Sequence, residues 1–288
     1  MPGFTSFKSI VDADTAGATR ISTWRKRPSQ TTDTGFWFDL SLSPGNPNPQ
    51  YYAAAPLFAQ VLSQSSGGLF HGANVAPATK VLRKIMAFST AAALSPMPMI
   101  LLDYLMYYPF IDEGTNDQQD FDNTQTLTRY TDGNGVQIMP VVVAAGGGGA
   151  GVSFICTYTN HLGVAGRITR PVNLTTQTVS GTVASSALNV VGCNGPFIPL
   201  QDGDSGVRSI QSITFTNNVD VGLISLVLVK PLAQMSIRGV DAPVEIDYLI
   251  DTAQLPEIKD NAYLNFICHP GGNLANVQIH GTIEITWS

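Results

Sequence analysis

Beyond about residue 80 the chain is written in short apolar runs broken by turn residues, the punctuation of strands rather than of helices. Residues 81–88 and 98–110 are two such runs, bounded by proline-containing or polar loops. The second is also long enough for a buried helix, which periodicity alone does not distinguish from a strand covered on both faces. In 152–158, Val152, Phe154, Cys156 and Tyr158 fall at alternate positions, as in a half-buried strand. Further strands are expected at 126–130, 136–143, 208–215, 222–229, 244–249, 263–268 and 278–287. The turn Asp132-Gly133-Asn134-Gly135 carries the residues that tight hairpins select, because they tolerate positive φ, so 126–143 reads as a hairpin. In 278–287, Ile279, Thr282, Glu284 and Thr286 interleave with more apolar neighbours at roughly period two, with a slip at Gly281.

The first eighty residues follow a different grammar. Residues 51–66 are rich in alanine and leucine, with Pro56 in the opening turns and Gly67-Gly68 at the end, which predicts one short helix; a further helical stretch is expected within 5–13. Residues 1–50 contain Pro28, Pro44, Pro47 and Pro49, which remove backbone donors and forbid continuous helix, so this segment reads as an extended arm. It carries Trp24 beside the basic triplet Arg25, Lys26 and Arg27, and the aromatic run Phe36, Trp37 and Phe38. An arm of this composition has no core of its own. These seven residues are therefore the expected interface, docking onto another subunit or folding back on the chain's own sheets.

Together the pattern predicts a mainly β fold: an extended N-terminal arm (1–50), a short helix and linker (51–79) and a β-sandwich (80–288). The jelly roll is the expected arrangement of that sandwich. No repeat of fixed period is present, which argues against a solenoid or propeller.

Composition sharpens this picture. Charged residues make up 12% of the 288, about half the ~25% of an average soluble domain. Buried interfaces are depleted of charge, so much of the surface is expected to be covered by partners. The net charge is −6, which disfavours nucleic acid as the main ligand. Cys156, Cys193 and Cys268 are widely spaced among apolar or small residues and read as reduced thiols, with no CxxC pair for zinc. The opening residues lack a secretory pattern and no apolar run reaches the ~20 residues of a membrane helix, so synthesis in a cytoplasm and no membrane partner are expected.

Four patterns invite a chemical reading. Gly203-Asp204-Ser205-Gly206 matches the tetrapeptide around the nucleophile of chymotrypsin-like proteases, but Val207 replaces the usual second glycine. The upstream histidines, His71 and His161, lack the family's context, so a turn is expected in place of a serine hydrolase. The glycine-rich stretch 146–151 lacks the Lys-Ser/Thr of a phosphate loop. Asp112, Glu113, Asp117, Asp120 and Asp122 could ligate a hard cation but do not follow the EF-hand order. His71, His161, His269 and His280 have no metal-ligand spacing. No cofactor, metal or catalytic residue is expected, and Trp24, Trp37, Tyr51, Tyr52, Tyr107, Tyr108 and Trp287 are expected to serve packing more than sugar binding.

Several stretches resemble structural proteins encoded in tailed-phage genomes: Trp24-Arg25-Lys26, the segment 37–47, Tyr51-Tyr52-Ala53-Ala54, the segment 199–210 and the segment 226–232. The resemblance implies a non-enzymatic virion component made in the host cytoplasm. It would be an auxiliary capsid protein of the cement or decoration type, with the major capsid protein and further copies of itself as partners. A phage tail or surface module that binds carbohydrate is the alternative it leaves open.

Overall fold

The computed structural model describes residues 3–32, 34–91, 96–146, 152–174, 179–187, 191–217, 222–252 and 254–288. Among them lie ten strands of four residues or more, all paired antiparallel, and one α-helix, α1 (Phe7–Thr15). The strands are β1 (Thr19–Lys26), β2 (Lys80–Ser89), β3 (Met97–Asp112), β4 (Gln137–Ala144) and β5 (Ser153–Asn160), then β6 (Val207–Phe215), β7 (Leu223–Ile237), β8 (Val244–Asp247), β9 (Leu264–Cys268) and β10 (Ile279–Trp287). The chain is mainly β, and its sheets stack as sandwiches.

A central sheet runs β9-β3-β7-β4. A second sheet, β8-β2-β10-β1, and a third, built on the β5–β6 pair, each pack against it. Consecutive strands repeatedly change sheet, as β2 to β3, β4 to β5, β6 to β7 and β9 to β10 do, which is the jelly-roll habit. The long strands β3 and β7 serve both sandwiches. Met97, Met99 and Leu101 of β3 meet the second sheet, whereas Met106 and Tyr108 meet the third. The switch from odd to even positions is made by bulges: Leu105 is an extra residue on β3 between Tyr104 and Met106, and Leu232 is one on β7. A bulge shifts the side-chain period by one, so the same face stays inward along the whole strand. The opposite face, with Leu102, Tyr104, Val227 and Val229, is covered by irregular segments carrying Tyr52, Leu62 and Val183. Both faces of β3 are therefore buried, which explains a run apolar enough to be mistaken for a core helix.

Three local expectations are corrected. Residues 51–66 are not a helix. Tyr52 and Leu57 have positive φ, and Gln60–Val61 pair with Tyr107 and Met106 of β3. Only Gln64–Ser66 turn as a 3₁₀ helix. The tertiary contacts of Tyr52, Ala59 and Leu62, all buried, override alanine's helix preference. The helix that does form is α1, started by a reciprocal capping box between Ser6 and Ser9. Residues 126–130 are not a strand either, so the expected hairpin is absent and β4 pairs with β7 instead. Lastly, there is no slip at Gly281. Ile279, Gly281, Ile283 and Ile285 all face inward, and Trp24 lies directly opposite the glycine in register. A Cβ there would fall 2.5 Å from the indole and 2.1 Å from the Met86 carbonyl oxygen.

Candidate functional site

The seven residues expected to form an interface divide sharply. β1 pairs with β10 over all eight of its residues, so the first strand of the chain is built into the sheet that holds the last. Trp24 is 2% exposed and stacks on Phe266 with ring centroids 4.2 Å apart. Phe38 is buried in the same core, while Phe36 and Trp37 are half-buried, and Trp37 meets the His269 ring edge-on. These aromatics pack against the chain's own sheets. Burial of Trp24 alone is worth about 1.5–3 kcal/mol. Strand alternation splits the basic triplet: Arg25 and Arg27 point to solvent and Lys26 points into the core.

Lys26 is fully buried, and its Nζ donates to the carbonyl oxygens of Ser43 at 3.0 Å and Pro47 at 2.7 Å. Burial pushes its ammonium down to about 7, against an opposing pull from Asp39. Asp39 is itself fully buried and accepts hydrogen bonds from Tyr52 and Tyr104, both at 2.6 Å, from the Ser41 hydroxyl at 2.7 Å and from the Ser41 backbone N–H at 2.8 Å. Desolvation still outweighs these four bonds, and the carboxyl is raised above its ordinary value. A second buried pair ties the central sheet to the 124–131 segment. Arg129 donates to Asp103 through Nε at 2.9 Å and Nη2 at 2.7 Å, and to the carbonyl oxygens of Leu62 and Tyr104. Sequence reading missed both networks, because a lone Lys or Asp carries no sign of its burial.

Gly203-Asp204-Ser205-Gly206 is a packed turn. The Ser205 hydroxyl donates to Asn134 Oδ1 at 3.0 Å, while His161 Nδ1 accepts the Ser205 backbone N–H at 3.3 Å. The imidazole thus engages the amide, not the hydroxyl it would have to deprotonate as a general base. Burial raises the Asp204 carboxyl, but bonds from Arg167, Tyr158 and Asn160 outweigh it and hold the group at about 2. Gly206 lies so close to the 133–136 turn that a Cβ would meet the Gly133 carbonyl oxygen at 2.0 Å. The two glycine-bearing turns visible in the sequence therefore interlock. Of the glycine-rich stretch 146–151, only Gly146 lies within the described residues.

In the acidic loop, Asp112 and Asp122 cap local turns by accepting the backbone N–H groups of Gly114 and Thr124. Among the described residues no three His, Cys, Asp or Glu side chains converge as a metal site would require. His71 is buried between Lys80 and the Ala262 carbonyl oxygen, and desolvation followed by the Lys80 charge lowers it to about 4. His280 stacks on Phe88. The three thiols are free, with Cys156 and Cys268 buried. A groove of about 690 Å³ runs between β7 and the 246–257 segment, lined by Tyr130, Lys230, Gln234, Tyr248, Thr252 and Glu257 among others.

No protein-family profile matches the chain, and no curated protein does. Solved structures give weak likenesses to particles of infectious bursal disease virus. The infectious bursal disease virus VP2 subviral particle is 9% identical, with 93% of this chain and 80% of that one covered, at a TM-score of 0.18. The Gt strain of the same virus is 12% identical over 93% and 79% at 0.19, and its T=1 particles are 11% identical over 93% and 77% at 0.18. At these scores the backbones do not superpose well enough to transfer a role.

One surface stands out once the core is accounted for. Leu162, Val164 and Ile168, at the tip of the β5 hairpin, are 71%, 50% and 49% exposed. They are rimmed by the Arg167–Asp204 and Arg170–Asp202 ion pairs. Exposed apolar side chains beside a rim of ion pairs have the form of a contact site.

Proposed function

We propose that this chain is a virion structural protein, an auxiliary capsid component of the cement or decoration type that packs against shell subunits and sibling copies after synthesis in the host cytoplasm. The observation that carries the reading is the apolar tip of Leu162, Val164 and Ile168 on a chain whose charged content is 12%. The mechanism is adhesion by burial of that tip, with the outward Arg25 and Arg27 of the N-terminal segment as further docking residues. In this reading the chain is not an enzyme, and a fluorophosphonate probe is expected to leave Ser205 unlabelled.

Cryo-imaging of purified particles, with and without Leu162→Asp/Val164→Asp, tests the reading. The wild-type chain is expected on the shell and the folded variant is expected to be lost from it. Particles that lack the wild-type chain, or that keep the variant at full occupancy, overturn the reading. The groove beside β7 favours a second reading, a carbohydrate-binding surface module, since the half-buried Tyr130 ring stands there with the polar groups of Lys230, Gln234 and Thr252. Glycan binding lost in Gln234→Ala would establish it.

A further inference from the structure

We propose that copies of this chain associate head to tail, the outward stripe of β1 on one copy receiving the acidic 112–122 loop of the next. The inference rests on the self-packing reading above and names the surfaces that would carry it. The receiving surface is the outer edge of the second sheet. Beyond β1, only Gly45–Asn46 pair with it, opposite Arg25 and Lys26, so the backbone of Thr19–Thr23 carries no further strand among the described residues. Its outward side chains are Ile21, 65% exposed, Thr23, Arg25 and Arg27. Among the described residues neither arginine forms an ion pair: Arg27 Nε donates to the Asn276 carbonyl oxygen, and Arg25 faces His280 in register.

The complementary surface is on the same chain. Asp112, Asp117, Asp120 and Asp122 form no ion pair among the described residues, whereas eight other cations are paired with carboxylates within the fold. Lys230 and Asp132, also without an ion pair among the described residues, lie within electrostatic reach of each other, whereas the 25–27 and 112–122 segments each carry charges of one sign. They are also far apart. The sheet holding β1 packs on Met97, Met99 and Leu101 of β3, and the acidic loop begins at Asp112, the last residue of β3. At about 3.3 Å per residue the two regions are separated by roughly 35 Å along that strand, so one copy cannot satisfy its own charges. A second copy can. Arg25 and Arg27 are separated by one residue in an extended strand, as are Asp120 and Asp122, so both pairs repeat at about 7 Å. Joining unlike surfaces is a heterologous contact, which closes into a ring or extends as a row.

Asp117 and Asp120 are the acids to reverse, because neither carboxylate caps a backbone N–H as those of Asp112 and Asp122 do. Sedimentation of the full chain over a range of concentration and salt would compare wild type with Arg25→Glu/Arg27→Glu, with Asp117→Lys/Asp120→Lys and with all four changes together. Each pair alone is expected to weaken self-association by about tenfold or more at low salt, and the fourfold swap to restore it. The proposal is overturned if the wild type self-associates but the reversals leave it unchanged, or if the swap fails to recover what the pairs lose. Self-packing through other surfaces would then still stand. A wild type that stays monomeric throughout overturns both the surfaces and the self-packing they rest on.

Discussion

At the scale of single residues, the departures from simple patterning are where the structure is most specific. In β1 the exposed Ile21 and the buried Ser22 and Lys26 invert the usual arrangement, because the inward side must fit Trp24, a carbonyl-lined niche and the Asp39 network. Lys26 gives a pH dependence of defined sign. Its folded value, about 7, lies below the ordinary 10.5, so between these limits the unfolded chain binds more protons and stability rises with pH. Denaturant unfolding of wild type is expected to strengthen from pH 7 to 8.5, below the range in which the buried Cys156 and Cys268 thiols oppose it, and Lys26→Met to lose that slope. A wild-type curve that is flat or falling over this window refutes the assignment. Gly281→Ala places a methyl group against the indole and the Met86 carbonyl, and is expected to destabilise by about 1–3 kcal/mol, read from the denaturation midpoint. Arg129→Met strands the buried Asp103 carboxylate and is expected to cost about 3–5 kcal/mol, with part recovered in Asp103→Asn/Arg129→Met.

At the scale of elements, β1 decides whether the N-terminal segment is an appendage or part of the core. Deleting residues 1–27 would uncover one edge of β10 and the Phe266 ring, so the truncated chain is expected to aggregate or to melt well below wild type, as followed by light scattering and circular dichroism. A truncated chain with unchanged melting would show β1 to be dispensable. The strands after residue 80 were largely legible, since β2 to β10 each fall on an expected run, with 98–110 also readable as a helix, because a strand between covered faces must be apolar. The failures at 51–66 and 126–130 share one cause. Both are held by residues distant in the chain that no local pattern encodes: 51–66 bonds its backbone to β3 and to Asp122, while 126–130 is anchored through the Arg129 side chain to Asp103, Leu62 and Tyr104. The candidate contact surface was legible only as a deficit of charge. Which apolar residues would be left outside depended on which were needed within, and Trp24 was needed within.

At the scale of the whole molecule, the central sheet couples the two sandwiches. Cys268 belongs to the core of one and Cys156 to the core of the other, and both are buried. Because β3 and β7 run through both cores, neither sandwich can be lost without stripping a face from the same strands. Pulsed alkylation is expected to find both thiols becoming reactive at one denaturant midpoint, and Gly281→Ala to shift both equally. Two separate midpoints would mean that the sandwiches unfold independently.

The pairing of β1 with β10 also sets a timetable. The glycine that receives Trp24 leaves the ribosome roughly 250 residues after it, and at ~5–20 residues per second that interval is of the order of ten seconds or more. Throughout that time the indole and the strand edge beside it have no native partner. The sheet therefore closes after translation has passed residue 287, as a late contact of very long sequence separation, and the nascent chain depends on whatever shields its opening strand until then.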